Sequence, residues 1–173
     1  MEQQYSATVT PLTRQEVEGL VFAWTRRLVL FARQWTDSAE DVVQEVFLEL
    51  FRLQTRPADV VAWLFKATRR TAISSWRSET ARVRREKTVA MANPEWFQSL
   101  DENRLDSETA KKKLQELPSE FREVVVARLW GELTFEQIAV LTDSTRETSR
   151  RRYHEAIELL GNRLGIEKSD GQN

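Results

Sequence analysis

Apolar residues recur along this chain mostly three and four positions apart, the spacing that lines one side of an α-helix. Val17, Leu20, Val21, Trp24, Leu28 and Phe31 form the first such stripe. Thr13 and Glu16 stand ahead of it as a capping box, and Leu12 with Val17 fits a hydrophobic staple. The pattern predicts a helix from there to about Gln34. Ser38 with Asp41 predicts the start of a second, striped by Val42, Val46, Phe47 and Leu50. Pro57 predicts the start of a third, carrying Val60, Val61, Leu64, Phe65, Ala72 and Ile73. From about Arg82 to Asp106 the periodicity weakens and Pro94 intervenes, so this stretch reads as a linker with at most one helical piece. Helices resume near Ser107, with Leu114 and Leu117 closing one before Pro118. Phe121, Val124, Val125 and Leu129 line another, and Gly131 suits the left-handed position that ends it. No run alternates with period two, so no sheet is predicted. Gly165 to Asn173 reads as a frayed tail.

The most informative stretch is Thr134 to Leu164. Thr134 with Gln137 predicts a second capping box, stapled by Leu133 and Ile138. A short helix with apolar Phe135, Ile138, Ala139 and Leu141 gives way to the polar turn Thr142, Asp143 and Ser144. Thr145 is a good N-cap for the next helix, which carries Tyr153, Ala156, Ile157, Leu160 and Leu164 on one side. A short helix, a tight turn and a longer helix is the helix-turn-helix plan, whose second helix enters a major groove. Its first turns hold Arg146, Glu147, Arg150 and Arg151. Arginine there can pair with both O6 and N7 of guanine, and glutamate can accept from cytosine N4. Arg152 fits a phosphate contact or an intradomain ion pair better. A helical hairpin with merely solvated arginines is the alternative that pattern alone leaves open.

Composition narrows the chemistry. The 173 residues hold one His and no Cys, which excludes disulfides, thiolate metal sites and a cysteine nucleophile. No metal site, cofactor or catalytic constellation is expected, because His154 lacks an evident carboxylate and nucleophile around it. Apolar runs are far shorter than the roughly 20 residues of a membrane span, so no membrane insertion is expected. The polar N-terminus lacks the order of a signal peptide, and a cytoplasmic protein is expected. The 26 basic and 27 acidic residues nearly cancel, but they are segregated. Asp37, Glu40, Asp41, Glu45 and Glu49 form an acidic run. Lys66, Arg69, Arg70, Arg77, Arg82, Arg84, Arg85 and Lys87 form a basic one, with Trp63, Phe65 and Trp76 interleaved. Glu95, Asp101, Glu102, Asp106 and Glu108 are acidic again, and Arg146 with Arg150 to Arg152 is basic. Blocks of opposite sign imply different partners for different surfaces, or plainly solvated helix faces.

Two sets of residues carry a family resemblance. Leu117-Pro118 with Arg122-Glu123-Val124 leads to Gly131-Glu132-Leu133-Thr134-Phe135-Glu136-Gln137-Ile138-Ala139, which resembles the C-terminal promoter-binding domain of bacterial sigma factors. Asp37-Ser38-Ala39-Glu40-Asp41-Val42-Val43-Gln44-Glu45-Val46-Phe47 and Ala62-Trp63-Leu64-Phe65-Lys66 resemble the other conserved sigma domain. The short linker leaves no room for a middle domain, so the chain is similar to the extracytoplasmic-function (ECF) group of the sigma-70 family. The resemblance implies an all-α fold: a region 2 domain over residues 1–87, an acidic linker over 88–106, a helix-turn-helix region 4 domain over 107–165 and a tail over 166–173. It implies core RNA polymerase as partner, through the largest-subunit clamp helices and the flap region, together with promoter DNA. Many relatives are also held by an anti-sigma factor. Asp41, Gln44, Glu45 and Leu48, on one helix face by their spacing, would dock on the clamp, with Phe47 left to the core. Lys66, Arg69, Arg70, Trp76 and Arg77 would serve the −10 region, with Trp63 mainly structural. Arg146, Glu147, Arg150 and Arg151 would serve the −35 region. The linker acids Asp101, Glu102 and Asp106 would lie near the path of nascent RNA.

The sequence departs from the family pattern at Arg70, Ser74, Asp143, Ser144 and Ser149, where Asn, Asp, Gly, an aliphatic residue and Val are usual. Arg150-Arg151-Arg152 replaces a Lys-Ser-Arg series. The function expected is therefore a sigma factor and not an enzyme. A stand-alone helix-turn-helix regulator is the alternative; it leaves the acidic helix and the Trp-containing basic block without a task.

Overall fold

Thr13 begins the first helix, α1 (Arg14–Ala32), as its sequence requires. The Thr13 hydroxyl accepts from the Glu16 amide, and the Glu16 carboxylate accepts from the Thr13 amide at 2.9 Å. Leu12 and Val17 are both buried beside this cap. The computed structural model describes residues 10–86 and 108–164. The expected linker core over 88–106, Lys87 and the tail lie outside them, and Arg82, Arg84 and Arg85 enter through their backbone alone.

The second helix, α2 (Ala39–Arg52), buries Val42, Val43, Val46, Phe47 and Leu50 on one side. Its expected cap does not form. Ser38 makes no side-chain cap bond, and its own amide donates to the Thr36 hydroxyl at 3.2 Å. Glu40 and Asp41 still complement the positive end of the helix. The third helix, α3 (Val60–Glu86), starts three residues later than Pro57 suggested. Asp59 is the residue that caps it: its Oδ1 accepts from the Ala62 amide at 2.8 Å. The 27 residues of α3 make a rod of about 40 Å, much longer than its apolar stripe.

In the C-terminal half, α4 (Glu108–Gln115) runs into α5 (Ser119–Leu129), α6 (Phe135–Leu141) and α7 (Arg146–Leu164). The Pro118 carbonyl accepts from the Phe121 and Arg122 amides, both at 3.0 Å. Gly131 is not the left-handed residue after α5; Glu132 is, with φ of 55°. Gly131 is required for a different reason. A Cβ there would lie 2.5 Å from the Ala127 carbonyl oxygen and 2.9 Å from the Phe65 ring. The second capping box forms at Thr134 and Gln137.

All described secondary structure is helical, and no described helix is long and apolar enough to cross a membrane. Helices α1 to α3 make one small domain and α4 to α7 another. One contiguous core threads both: Phe31, Val46, Leu50, Leu64 and Phe65 on one side, and Leu117, Val124, Leu133, Ile138 and Ala156 on the other. Phe65 is the central piece, edge-on to Trp24 and Phe31 at 6.1 and 5.1 Å between ring centres.

Candidate nucleic-acid interface and docking face

Helix α2 turns its apolar stripe inward and leaves Asp41, Gln44, Glu45 and Leu48 exposed together. Phe47 is buried, as a core role requires. Leu48 is 48% exposed and Phe51 54%. With Val21, Gln44 and Phe47 they line an open apolar groove of about 520 Å³ between α1 and α2. Phe22, on the neighbouring face of α1, is 95% exposed. Exposed aromatic and aliphatic side chains beside an acidic rim are suited to a partner helix with a basic, amphipathic face. Val21, which belongs to the apolar stripe of α1 by its spacing, is exposed rather than in the core, and Phe51 joins it outside the α2 stripe. The signal was present: Gln44, Leu48 and Phe51 follow i, i+4, i+7 spacing.

The basic face of α3 is divided in three. Lys66 and Arg69 point toward the C-terminal domain, where Lys66 Nζ meets Asp143 Oδ1 at 2.5 Å and Arg69 Nε meets Glu123 Oε1 at 2.5 Å. The second contact is an ion pair whose N–H is poorly aimed, since neither atom meets hydrogen-bond geometry. Arg70 turns to α2 and grips Glu49 through both carboxylate oxygens, at 2.6 and 2.8 Å. That pair gives the unusual Arg70 a structural task. Trp76, 44% exposed, and Arg77 stand beyond these contacts on the exposed stretch of the rod. Trp63 is packed against the core. The structure therefore does not gather the five residues into one open patch.

Glu123 is the deepest charged group described, 4% exposed. Burial pushes its carboxyl above the usual value, against the pull of Arg69 and then Arg152. Asp143 is the reverse case. A hydrogen bond from Lys66 and the charge of that ammonium hold it below the usual range.

The helix-turn-helix is built by local chemistry. Thr145 caps α7 by accepting from the Thr148 amide at 3.1 Å. Asp143 takes the left-handed position with φ of 49°, where the family pattern has Gly. Ser149 is fully buried. Its hydroxyl lies 3.1 Å from that of Ser144, which lies 2.8 Å from that of Thr142, which donates to the Ile138 carbonyl. Because the last donor is fixed, the chain runs one way from Ser149 to Ile138. Two of these hydroxyls, those of Ser144 and Ser149, thus stand where the family pattern has apolar side chains, and each is satisfied by its neighbour. Arg146, Glu147, Arg150 and Arg151 are all exposed at the start of α7. Arg146 is held by Glu136 at 2.5 Å, and Arg151 lies 3.6 Å from Glu155. Arg152 pairs with Glu120 inside the domain at 3.4 Å. Ile157, expected on the apolar side, is 39% exposed, and the side chain of Leu164 lies outside the described residues.

Comparisons with known proteins agree with this layout. The family model for sigma-70 region 2 matches residues 15–82, and that for sigma-70 region 4 matches residues 114–162. The chain is 26% identical over 140 residues to the RNA polymerase sigma factor SigV of Bacillus subtilis (strain 168), covering 78% of this chain and 79% of the relative. Its fold resembles that of the sigma factor RpoE in its complex with the anti-sigma factor NepR from Bartonella quintana. The TM-score is 0.67 at 22% identity, covering 89% of this chain and 99% of the other.

Proposed function

The chain belongs to the sigma-70 family, in its extracytoplasmic-function group, and from that premise we propose how its surfaces divide the work. A sigma factor binds core RNA polymerase and directs initiation at chosen promoters. The observation that carries this assignment is the ordered pair of region 2 and region 4 matches over one all-α chain. The stand-alone regulator is not favoured, because it leaves region 2 unused.

In this reading residues 1–87 make the region 2 domain, 88–106 the tether and 107–165 the region 4 domain. The acidic rim of Asp41, Gln44 and Glu45, with Leu48 and the groove beside it, docks on the clamp helices of the polymerase largest subunit. The region 4 domain engages the flap. Exposed Trp76 and Arg77, with Lys66, Arg69 and Arg70, meet the opened −10 strand: aromatic faces stack on bases and cations follow phosphates. Arg146, Glu147, Arg150 and Arg151 read the −35 element in the major groove. The protein itself is not an enzyme; it works in the cytoplasm, where polymerase and promoter are. An anti-sigma factor is a fitting regulator, as the fold likeness to RpoE in its NepR complex suggests.

The test is direct. Purified protein mixed with core polymerase at low salt should co-elute as a stable holoenzyme, and Asp41→Lys with Glu45→Lys should weaken that complex about tenfold or more. Failure of the wild-type chain to bind core would sink the reading.

A further inference from the structure

Of the four exposed side chains at the start of α7, Arg146 alone is held from another helix. Its Nε lies 2.5 Å from Glu136 Oε1 of α6. Among the described residues Glu147 and Arg150 have no partner, and Arg151 has only Glu155 of its own helix, at 3.6 Å. Arg146 is fixed at both ends. Its backbone is the first residue of α7, set by the Thr145 cap. The Thr145 hydroxyl accepts from the Thr148 amide at 3.1 Å and donates to the Thr148 hydroxyl at 3.0 Å. Its head meets a carboxylate that is itself anchored. The Glu136 backbone amide and then the Thr134 hydroxyl donate to that carboxylate. With the charges of Arg146 and Arg128, they hold it below the usual range.

The side on which the pair forms decides what Arg146 can still do. A guanidinium carries five N–H donors in a fixed fork, one on Nε and four on the two Nη atoms. The carboxylate sits on the Nε side, so the two Nη atoms are left as an outward fork. Used end-on, that fork matches O6 and N7 of guanine. A sideways grip on a phosphate, which needs Nε, is blocked. The adjacent negative charge also weakens the pull of Arg146 on phosphates in general. We propose that Glu136 is a positioning residue for −35 recognition: it commits Arg146 to one guanine of the element and away from the phosphate backbone. Ordering a long side chain at an interface is costly, and holding it beforehand reduces that cost. Glu136 itself needs no contact with DNA. The proposal rests on the −35 role given above to Arg146.

The experiment uses holoenzyme and a promoter randomised over its −35 element. Bound DNA is recovered and sequenced, which gives the base preference at each position. Wild type should favour guanine at one position, and Arg146→Ala should lose that preference by about tenfold. Glu136→Ala should weaken the preference at the same position about two- to fivefold and leave every other position unchanged. It should also raise affinity for DNA lacking that guanine, because an acid near the phosphates has gone; a merely structural loss would lower affinity for both. Glu136→Gln keeps an oxygen that accepts from Nε and should fall between Glu136→Ala and wild type. In an Arg146→Ala background, Glu136→Ala should alter no preference. An unchanged or uniformly weakened profile in Glu136→Ala, or an effect that persists without Arg146, would overturn the proposal and leave the −35 reading in place. An unaltered profile in Arg146→Ala would instead refute the −35 role of Arg146, and the positioning role with it.

Discussion

Gly131 and Gly19 should respond to alanine in opposite directions. At Gly131 the added methyl would meet the Ala127 carbonyl oxygen at 2.5 Å and the Phe65 ring at 2.9 and 3.0 Å. Carbon atoms are comfortable at about 3.5–4.0 Å, so both neighbours must retreat by the better part of an ångström. Neither can do so easily. The Ala127 carbonyl is held by the Leu133 amide at 3.1 Å, and the Gly131 amide is itself tied to Val126 at 3.1 Å. Phe65 is fully buried between Trp24 and Phe31. Overpacking of this kind costs about 1–3 kcal/mol. For a chain of this length that is a fall in melting temperature of about 2–12 °C. Gly19 lies inside α1 with nothing within 4 Å of its would-be Cβ. Alanine there should add about 0.5–1 kcal/mol, since it removes the entropic cost of a helical glycine. Thermal unfolding followed by circular dichroism at 222 nm distinguishes the two. A Gly131→Ala variant as stable as the wild type would refute the packing account of this junction.

Other outcomes follow from the same structure. Arg150→Ala should cost about 1–3 kcal/mol of binding to duplex bearing the −35 element, read by fluorescence anisotropy, while holoenzyme assembly is unchanged. The Asp41→Lys, Glu45→Lys variant should show the reverse split in the same two assays. Glu123 predicts a pH dependence. Its carboxyl is raised by burial above its ordinary 4.5, with Arg69, Arg152 and Asp143 facing it. The stability it contributes is fully present below that ordinary value and falls as pH rises through the raised one. Glu123→Gln abolishes that loss, so its melting temperature relative to wild type should climb from pH 4.5 to pH 8; a flat difference would count against the shift.

Much of this was legible in the sequence, and what was not has a physical reason. Both Thr capping boxes form, because the signal and the structure lie within four residues of each other. The α2 stripe is buried where the pattern put it, because helical period and burial are tied along one short rod; in α5 Val124 and Val125 are buried, Phe121 is half-buried and Leu129, at the end of the helix, is exposed. Pro57 misled because Asp59, two residues on, could satisfy the free amides that a proline only tolerates. The task of Gly131 differs from the one its position suggests because its neighbours are Ala127 on the helix before it and Phe65 from the other domain. The two basic blocks could be seen, but not that Lys66 and Arg69 face carboxylates more than fifty residues away. Ser144 and Ser149 stand out in the sequence only as departures from apolar residues; the hydroxyl chain that joins them to Thr142 depends on the fold of the turn. Long-range pairing leaves no local trace in composition or period.

The central claim is that this chain gives polymerase its choice of promoter. Holoenzyme assembled from purified protein and core should be run on genomic DNA and the 5′ ends of its transcripts sequenced. The account predicts discrete starts, absent with core alone, each preceded by a shared −10 element and a shared −35 element, with Arg150→Ala depressing them together. Starts indistinguishable from those of core alone would contradict it.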